Sequence, residues 1–277
     1  MSTGRYPSIA LIGYGAIADE IVLILEQRNE LQCLRGILAR ASSLPRLQAK
    51  SRGRFAIVTG VSELLALDAD VVVEAAGHAA ARQFGPALLA QGASVLFSSV
   101  GVFADRTFAK QMIGSAVAQS ELLVAPGAVA GIDGLRAARS AGLRSVSYTS
   151  WKPPAAWRDT PGAALVDRLD GRSGIFLEAT ARQAALDYPR NANVGALIGL
   201  LGLGLDRTIV RLGADPTLHG PKGLIEADGD FGTFRFEIGT RPSTNPKTSS
   251  ITAHSLLAAL RDGTAIDALE AVQESVT

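Results

Sequence analysis

The first residues whose types and spacing could do chemistry fill a G-x-G-x-x-A pattern: Gly13, Gly15 and Ala18. The apolar run Ile9–Ile12 precedes them, and a segment with helical spacing of apolar residues follows. Such a glycine turn lets a pyrophosphate approach the backbone, where N–H groups at a helix start carry partial positive charge. The alternative is a glycine turn that binds nothing. The G-x-G-x-x-A motif lies between a predicted strand and a predicted helix, and this context predicts a dinucleotide-binding βα unit.

A second residue that bears on the cofactor is Arg40, which follows a predicted strand at residues 31–38. An acidic residue about 20 positions after the glycine motif normally accepts hydrogen bonds from the ribose of NAD. An arginine beside Ser42 and Ser43 suits a 2′-phosphate instead. The sequence therefore favours NADP over NAD, and the alternative is a solvated loop arginine.

The elements around these residues alternate between strand-like and helix-like patterns, as a parallel sheet with crossover helices requires. Residues 71–73 form a β-branched run that is typical of a buried parallel strand. Residues 93–97 form the next predicted strand, and both strands end in small residues and a glycine. Open parallel sheets bind ligands at this edge. We therefore predict an α/β fold with an N-terminal Rossmann doubly wound parallel sheet.

The pattern changes after Pro126, where shorter segments replace the regular alternation. Three of them alternate as antiparallel strands would: residues 208–212, 223–227 and 232–238. Residues 176–185 have a helical pattern. We predict a dinucleotide-binding domain over residues 1–125, joined by a C-terminal helical segment at residues 249–277. A smaller α+β domain over residues 126–248 would serve substrate binding and oligomerisation.

Composition excludes several function classes. The 277 residues are 47% hydrophobic and 19% charged, with a net charge of +1, so no charge field indicates nucleic acid or an anionic membrane. The single cysteine, Cys33, excludes an internal disulfide and fits a reducing, cytoplasmic setting. Zinc-ligand spacing is absent from the sequence, and the longest uncharged run is too short to span a bilayer. We expect a cytoplasmic protein without metal, membrane or nucleic-acid partners.

Motifs along nearly the whole chain resemble those of one family, the L-aspartate dehydrogenases. The two most specific are Y-P-R-N-A-N-V at residues 188–194 and N-P-K-T-S at residues 245–249. Shorter matches lie at residues 13–17, 74–78, 99–101, 127–128, 132–133 and 152–153. The resemblance implies a two-domain, NAD(P)-dependent enzyme that oxidises L-aspartate to 2-iminosuccinate, which hydrolyses to oxaloacetate and ammonia. In some members the imine feeds nicotinamide cofactor biosynthesis instead.

The resemblance also implies which residues bind the cofactor. The pyrophosphate positions match Gly13, Gly15, Ala16 and Ile17. The positions near the nicotinamide match Gly77, His78, Ala128 and Asn193. An asparagine amide can grip the carboxamide or the ribose while the ring face stays open for hydride transfer. For His78, packing at a helix start is the alternative.

For the substrate, a small amino or imino acid, the resemblance assigns the carboxylates to Lys152 and Lys247. Trp151 stands before Lys152, where relatives usually have an arginine that could bind a carboxylate through two hydrogen bonds. Tryptophan cannot do so, which leads to the hypothesis of a more apolar pocket and a less acidic substrate. Family members are usually homo-oligomers, so we expect a homodimer formed through the sheet of the second domain.

The main departure from the family concerns a histidine that follows an Asp-Pro pair. The pair in this chain is at residues 215–216, and the family spacing places Gly223 where the histidine should be. The nearest histidine is His219. Either His219 acts as the acid–base group, or the role is absent. In the second case the chain would be an imine or carbonyl reductase, a dehydrogenase for another substrate, or a non-catalytic NAD(P)-binding homologue.

Overall fold

The computed structural model describes residues 6–241, 249 and 251–277. The chain divides into two compact units. The first comprises Met1–Ser99, Lys110–Gly127 and Thr252–Leu269, and the second comprises Val100–Ala109, Ala128–Ile251 and Glu270–Thr277. The predicted boundary after residue 125 lies two residues from the division at Gly127. Residues 100–109 and 270–277, which the sequence assigned to the first domain, pack with the second unit.

The first unit is built on a seven-stranded sheet. Its strands are β1 (Ile9–Ile12), β2 (Leu34–Leu38), β3 (Ala56–Val58), β4 (Val71–Glu74), β5 (Ser94–Phe97), β6 (Glu121–Val124) and β12 (Ile266–Asp267). They are ordered β12-β6-β5-β4-β1-β2-β3, and all neighbours are parallel except β12, which is antiparallel to β6. This is the doubly wound order, with the reversal between β1 and β4. The predicted Rossmann sheet is confirmed.

Helices pack against this sheet, and α1 shows how an apolar stripe is buried. They are α1 (Ala16–Gln27), α2 (Leu44–Ser51), α3 (Val61–Leu65), α4 (His78–Ala90) and α10 (Ile251–Arg261), with α5 (Arg106–Ser115) spanning the division between the units. In α1 the stripe recurs at i, i+3, i+4 and i+7 and consists of Ala18, Ile21, Val22 and Leu25, each at most 1% exposed. This stripe joins the strands and α10 in one hydrophobic core. In the part of the chain that the structure describes, no helix is long and apolar enough to cross a membrane.

The second unit is built on a five-stranded sheet. Its strands are β7 (Leu143–Lys152), β8 (Gly174–Thr180), β9 (Ile209–Ala214), β10 (Lys222–Gly229) and β11 (Gly232–Gly239), in the order β11-β10-β7-β9-β8. Its helices are α6 (Ile132–Ser140), α7 (Ala163–Asp167), α8 (Ala181–Asp187), α9 (Asn193–Leu201) and α11 (Leu269–Glu274), the last beginning at the division. Helix α9 is buried from Gly195 onwards, which explains why its sequence is apolar on all sides.

Two sequence predictions for this unit were wrong. Residues 176–185, predicted as helical, end strand β8 and begin α8, because β8 pairs with β9 over its length and Thr180 caps the helix by accepting from the Gln183 N–H. Strand β9, predicted as antiparallel, is antiparallel to β8 but parallel to β7. A period of two residues gives the buried face of a strand but not its direction.

The two faces of this sheet differ in character. Successive strand residues point to opposite faces, so Val146, Tyr148, Ser150 and Lys152 share one face of β7. Helix α9 covers that face, since a Cβ on its Gly195 would lie 2.8 Å from Val210 and 3.6 Å from Tyr148. The other face carries Ser145 and Ser147, flanked by charged residues of β10.

Candidate active site

The glycine turn after β1 is shaped by two glycines with different constraints. Gly13 has φ +91°, and its N–H donates to the Leu38 carbonyl at 2.8 Å. A Cβ on Gly13 would lie 2.3 Å from the Cβ of Ala76, so no other residue fits there without moving that loop. Gly15 faces open space, because no atom lies within 4 Å of a Cβ built on it. The first glycine makes the turn, and the second leaves room for a ligand.

The start of α1 offers hydrogen-bond donors beside that room. The first i→i−4 bond runs from the Asp19 N–H to the Gly15 carbonyl at 2.9 Å, and no side chain caps the helix at Gly15. The N–H groups of Ala16 and Ile17 therefore have no acceptor inside the helix. Together with the helix dipole, they favour an anion such as a pyrophosphate.

A cavity of about 210 Å³ opens over this turn, entirely within the first unit. Its lining includes the two motif glycines, the ends of neighbouring strands and the start of α4: Gly13, Gly15, Leu38, Arg40, Ser43, Ala75, Ala76 and Ala79. Five of these are glycine or alanine, so the cavity walls lie close to the backbone. Three features of these residues fit a dinucleotide: the cavity, the glycine at its floor and the uncapped start of helix α1.

Arg40 lies at the rim of this cavity and is exposed. Its guanidinium forms no hydrogen bond or ion pair with another residue that the structure describes. Arg46 differs, since it donates to the Asp19 carboxylate at 2.8 Å and lies 5.0 Å from the centroid of the Tyr14 ring. Arg40 and Ser43 are therefore the cation and the hydroxyl that the structure places together at the cavity rim.

The loop after β4 is organised by a buried carboxylate. Glu74 is fully buried and accepts from the N–H groups of Ala76 and Gly77, each at 2.8 Å, and from the Ser99 N–H at 3.1 Å. Burial raises the pKa of the Glu74 carboxyl, while these donors oppose the shift. Gly77, with φ +101°, precedes α4, and His78 is the first residue of that helix. Neither residue lines the cavity. Sequence analysis missed the role of Glu74, although a carboxylate ending a β-branched strand was a visible signal.

In the second unit, Asn193 ties the start of α9 to a neighbouring loop. Its Oδ1 accepts from the Gly101 N–H at 2.9 Å, so the side-chain amide has a fixed orientation. Ala128 lies in the loop before α6 and is half-buried. Both positions belong to the same unit, whereas Gly77 and His78 belong to the other one.

The second unit also contains a buried cation. Lys152 ends β7, is only 7% exposed, and its Nζ lies 5.4 Å from the centroid of the Trp157 ring. No carboxylate among the described residues pairs with it. Burial lowers the pKa of Lys152 to about 8. A buried ammonium without an anion nearby is costly, so this arrangement suits a carboxylate ligand.

Three other residues bear on the predicted substrate site. Trp151 points to the opposite sheet face, where a Cβ on Gly213 would lie 2.5 Å from its ring, so it does not line a pocket beside Lys152. His219 is exposed in the loop between β9 and β10. That loop begins at Asp215, whose N–H donates to the Lys152 carbonyl at 3.0 Å. Lys247 lies outside the described residues.

The covered sheet face holds one further group that the sequence did not reveal. Tyr148 is 5% exposed and shares this face of β7 with Ser150. Burial raises the pKa of Tyr148 to about 12. Ser150 pairs with Gly223 across the sheet. Among the described residues, no cluster of three or more histidine, cysteine or acidic side chains could hold a metal ion.

A Rossmann unit with this cavity, followed by an α+β unit with a buried lysine, defines a two-domain dehydrogenase that uses a nicotinamide cofactor. Residues 13–124 match the family model described as the NAD-binding domain of homoserine dehydrogenase, and residues 133–263 match the one described as the C-terminal domain of aspartate dehydrogenase. The chain belongs to the L-aspartate dehydrogenase family.

Individual relatives show how far this similarity extends. The chain is 40% identical to the L-aspartate dehydrogenase of Pseudomonas aeruginosa over 262 residues, which covers 91% of this chain and 96% of the relative. It is 37% identical to that of Acinetobacter baumannii, covering 96% and 98%. Aspartate dehydrogenase from Thermotoga maritima shares the fold, with a TM-score of 0.70, 20% identity and coverage of 93% and 96%. The family and the enzyme class predicted from sequence are thereby confirmed.

Proposed function

We propose that this chain is an NAD(P)-dependent L-aspartate dehydrogenase. A hydride would leave Cα of aspartate while the amino group becomes the imine, with loss of one proton, and water would then convert iminosuccinate to oxaloacetate and ammonia. The observation that carries the proposal is the buried ammonium of Lys152, which has no anionic partner among the described residues, in a chain with a dinucleotide cavity. The nicotinamide ring, when bound, supplies the hydride acceptor.

The cofactor would be held through the first unit. The N–H groups of Ala16 and Ile17 would donate to the pyrophosphate above Gly13 and Gly15. Arg40 would pair with a 2′-phosphate, supported by the exposed guanidinium at the cavity rim, so we propose a preference for NADP over NAD. We propose that the nicotinamide end of the cofactor is bound by Gly77, His78, Ala128 and Asn193. For Asn193, the support is the fixed orientation of its side-chain amide.

The substrate would be held by its negative charge. Lys152 would bind one carboxylate, because a charge-assisted bond relieves the cost of burying its ammonium. Lys247 would bind the other, which rests on its motif alone. We assign the handling of the imine proton and of water to His219, supported by its place in the loop that begins beside the Lys152 carbonyl.

We further propose a homodimer in a cytoplasmic setting. The open face of the second sheet carries a concavity of about 560 Å³ lined by residues of both charges, among them Arg211, Glu226, Asp228 and Arg235. Alternating charges of this kind could pair with a second copy. Sedimentation of the wild type and of Glu226→Arg tests this; a monomeric wild type would contradict it. The single cysteine supports the reducing compartment.

The reaction is tested by following absorbance of the reduced cofactor with purified protein. We expect turnover of L-aspartate with NADP⁺, slower turnover with NAD⁺, and the reverse reaction with oxaloacetate and ammonia. L-asparagine and L-alanine serve as substrates that lack the second carboxylate. Turnover of these in place of aspartate would favour a dehydrogenase for a less acidic substrate. Cofactor binding without turnover of any amino or oxo acid would favour a non-catalytic homologue.

A further inference from the structure

The carboxylate of Glu74 connects two loops of the first unit. One oxygen accepts from the N–H groups of Ala76 and Gly77 in the loop after β4, both at 2.8 Å. The other accepts from the Ser99 N–H at 3.1 Å in the loop after β5. Both carboxylate oxygens are therefore bonded, and every donor is neutral.

These loops leave adjacent parallel strands at the edge where the cavity opens. The backbone adds only one bond between them here, from the Ser98 N–H to the Glu74 carbonyl at 3.1 Å. Gly77 turns the chain with a positive φ before α4, so its N–H points back to the carboxylate instead of following a sheet ladder. Without the carboxylate, three backbone N–H groups would lose their acceptor.

Ala76 transmits this arrangement to the glycine turn. Its N–H is held by Glu74, and its methyl group fills the space beside Gly13, where an added Cβ would lie only 2.3 Å away. Ala75 and Ala76 also line the cavity together with Gly13 and Gly15. The Ala76 methyl thus sets the distance between the loop after β4 and the glycine turn.

We propose that Glu74 is a positioning residue for the dinucleotide, because its carboxylate holds the loop of residues 75–77 and, through Ala76, the glycine turn that receives the pyrophosphate. Glu74 touches neither ligand nor reacting atoms. The inference rests on the dinucleotide binding in the proposed function and adds a residue that acts on it from behind the cavity wall. Preorganisation of this kind raises affinity by removing the cost of ordering the loop on binding.

Glu74→Gln tests the proposal, since the amide keeps the shape but presents N–H₂ to a backbone N–H at one end. We expect the Kd for NADPH, measured by titration calorimetry, to rise about tenfold or more. The matched control is Glu63→Gln: Glu63 also accepts from two loop N–H groups, those of Thr59 and Gly60, but the loop that it holds does not line the cavity. Its Kd should stay within about twofold of wild type.

Melting of the apo protein separates positioning from general stability. A purely structural Glu74 would lower Tm and leave the Kd of the folded variant unchanged, which would overturn the proposal. If Glu74→Gln does not fold, Ala76→Gly decides, because it keeps the carboxylate and removes the methyl beside Gly13; an unchanged Kd would again overturn the proposal. Wild-type protein that binds neither NADPH nor NADH would reject the proposed function itself, and the role of Glu74 with it. Wild-type binding with Kd values unaffected by either variant would reject the role of Glu74 alone.

Discussion

A Cβ on Gly223 would lie 2.9 Å from the hydroxyl oxygen of Tyr148 and 3.1 Å from Cε2 of the same ring. The family spacing implies a histidine at residue 223. In this chain the phenol ring of Tyr148, on the neighbouring strand, fills that space. A side chain at residue 223 would therefore require the Tyr148 ring to shift.

We expect Gly223→Ala to lower the free energy of unfolding by about 1–3 kcal/mol, because the methyl overpacks against Tyr148. Gly223→His should cost more, and adding Tyr148→Ala should restore part of the loss. Urea unfolding measures these values. Gly239→Ala is the control, since no atom lies within 4 Å of a Cβ there. Equal effects at residues 223 and 239 would show that Tyr148 does not constrain residue 223.

The two motif glycines should respond differently to alanine. Gly13→Ala combines a clash with Ala76 and a positive φ, so we expect a loss of about 3 kcal/mol or more in stability. Gly15→Ala should change stability by less than about 0.5 kcal/mol, because its Cβ meets nothing. The same methyl keeps a pyrophosphate from the backbone, so its Kd for NADPH should rise at least tenfold. Calorimetry and thermal melting on both variants would show whether the two effects separate.

Arg40→Ala should separate the two cofactors. Loss of a charge-assisted bond to a 2′-phosphate should raise the Kd for NADPH about tenfold or more. The Kd for NADH should change little, which makes NADH the internal control. Parallel increases for both dinucleotides would mean that Arg40 does not recognise the 2′-phosphate.

The lowered pKa of Lys152 predicts that substrate binding depends on pH. Its pKa is lowered from the ordinary value of 10.5 to about 8 by burial, so its positive charge is lost as pH rises through 8. Succinate, a dicarboxylate without an amine, should inhibit aspartate oxidation more weakly above pH 8. In Lys152→Met the KM for aspartate should rise at least tenfold, and the change in succinate inhibition near pH 8 should vanish. Inhibition by succinate that stays constant across pH 8 in the wild type would contradict a role of this charge.

The same shift predicts how the stability of the apo protein depends on pH. Between pH 8 and 10.5 the unfolded chain binds the Lys152 proton and the folded chain does not, so the free energy of unfolding should rise with pH in this window. The gain is about 3 kcal/mol relative to Lys152→Met, at 1.36 kcal/mol for each pKa unit. Urea unfolding of both proteins at pH 7 and pH 10 measures it, and parallel pH dependences would count against the burial of a charged Lys152.

His219→Ala tests the acid–base assignment. If His219 handles the proton, kcat should fall by about two orders of magnitude. The KM for aspartate and the Kd for NADPH should stay near wild type, because the side chain is exposed. His254→Ala, in helix α10, is the matched control. An unchanged kcat for His219→Ala would contradict the assignment of His219 as the acid–base group.

The sequence alone determined the β1–glycine–α1 unit, the parallel sheet and the family. Their signals lie within short contiguous stretches: the glycine spacing fixes a turn, the stripe of α1 fixes its buried face, and β-branched runs mark buried strands. These local patterns also placed Arg40 at the correct end of β2, since its distance from the motif is set along the chain.

Only the tertiary structure decided what depends on partners far away in sequence. Residues 174–180 form a strand because β9, some 30 residues later, offers a pairing edge that their own helical pattern does not show. Glu74 accepts a hydrogen bond from Ser99 because strands β4 and β5 are neighbours in the sheet. Tyr148 fills the space of a side chain at residue 223 because β7 and β10 are neighbours. Local pattern specifies the elements and their buried faces, but the neighbours of each side chain follow from packing, which no single stretch of sequence contains.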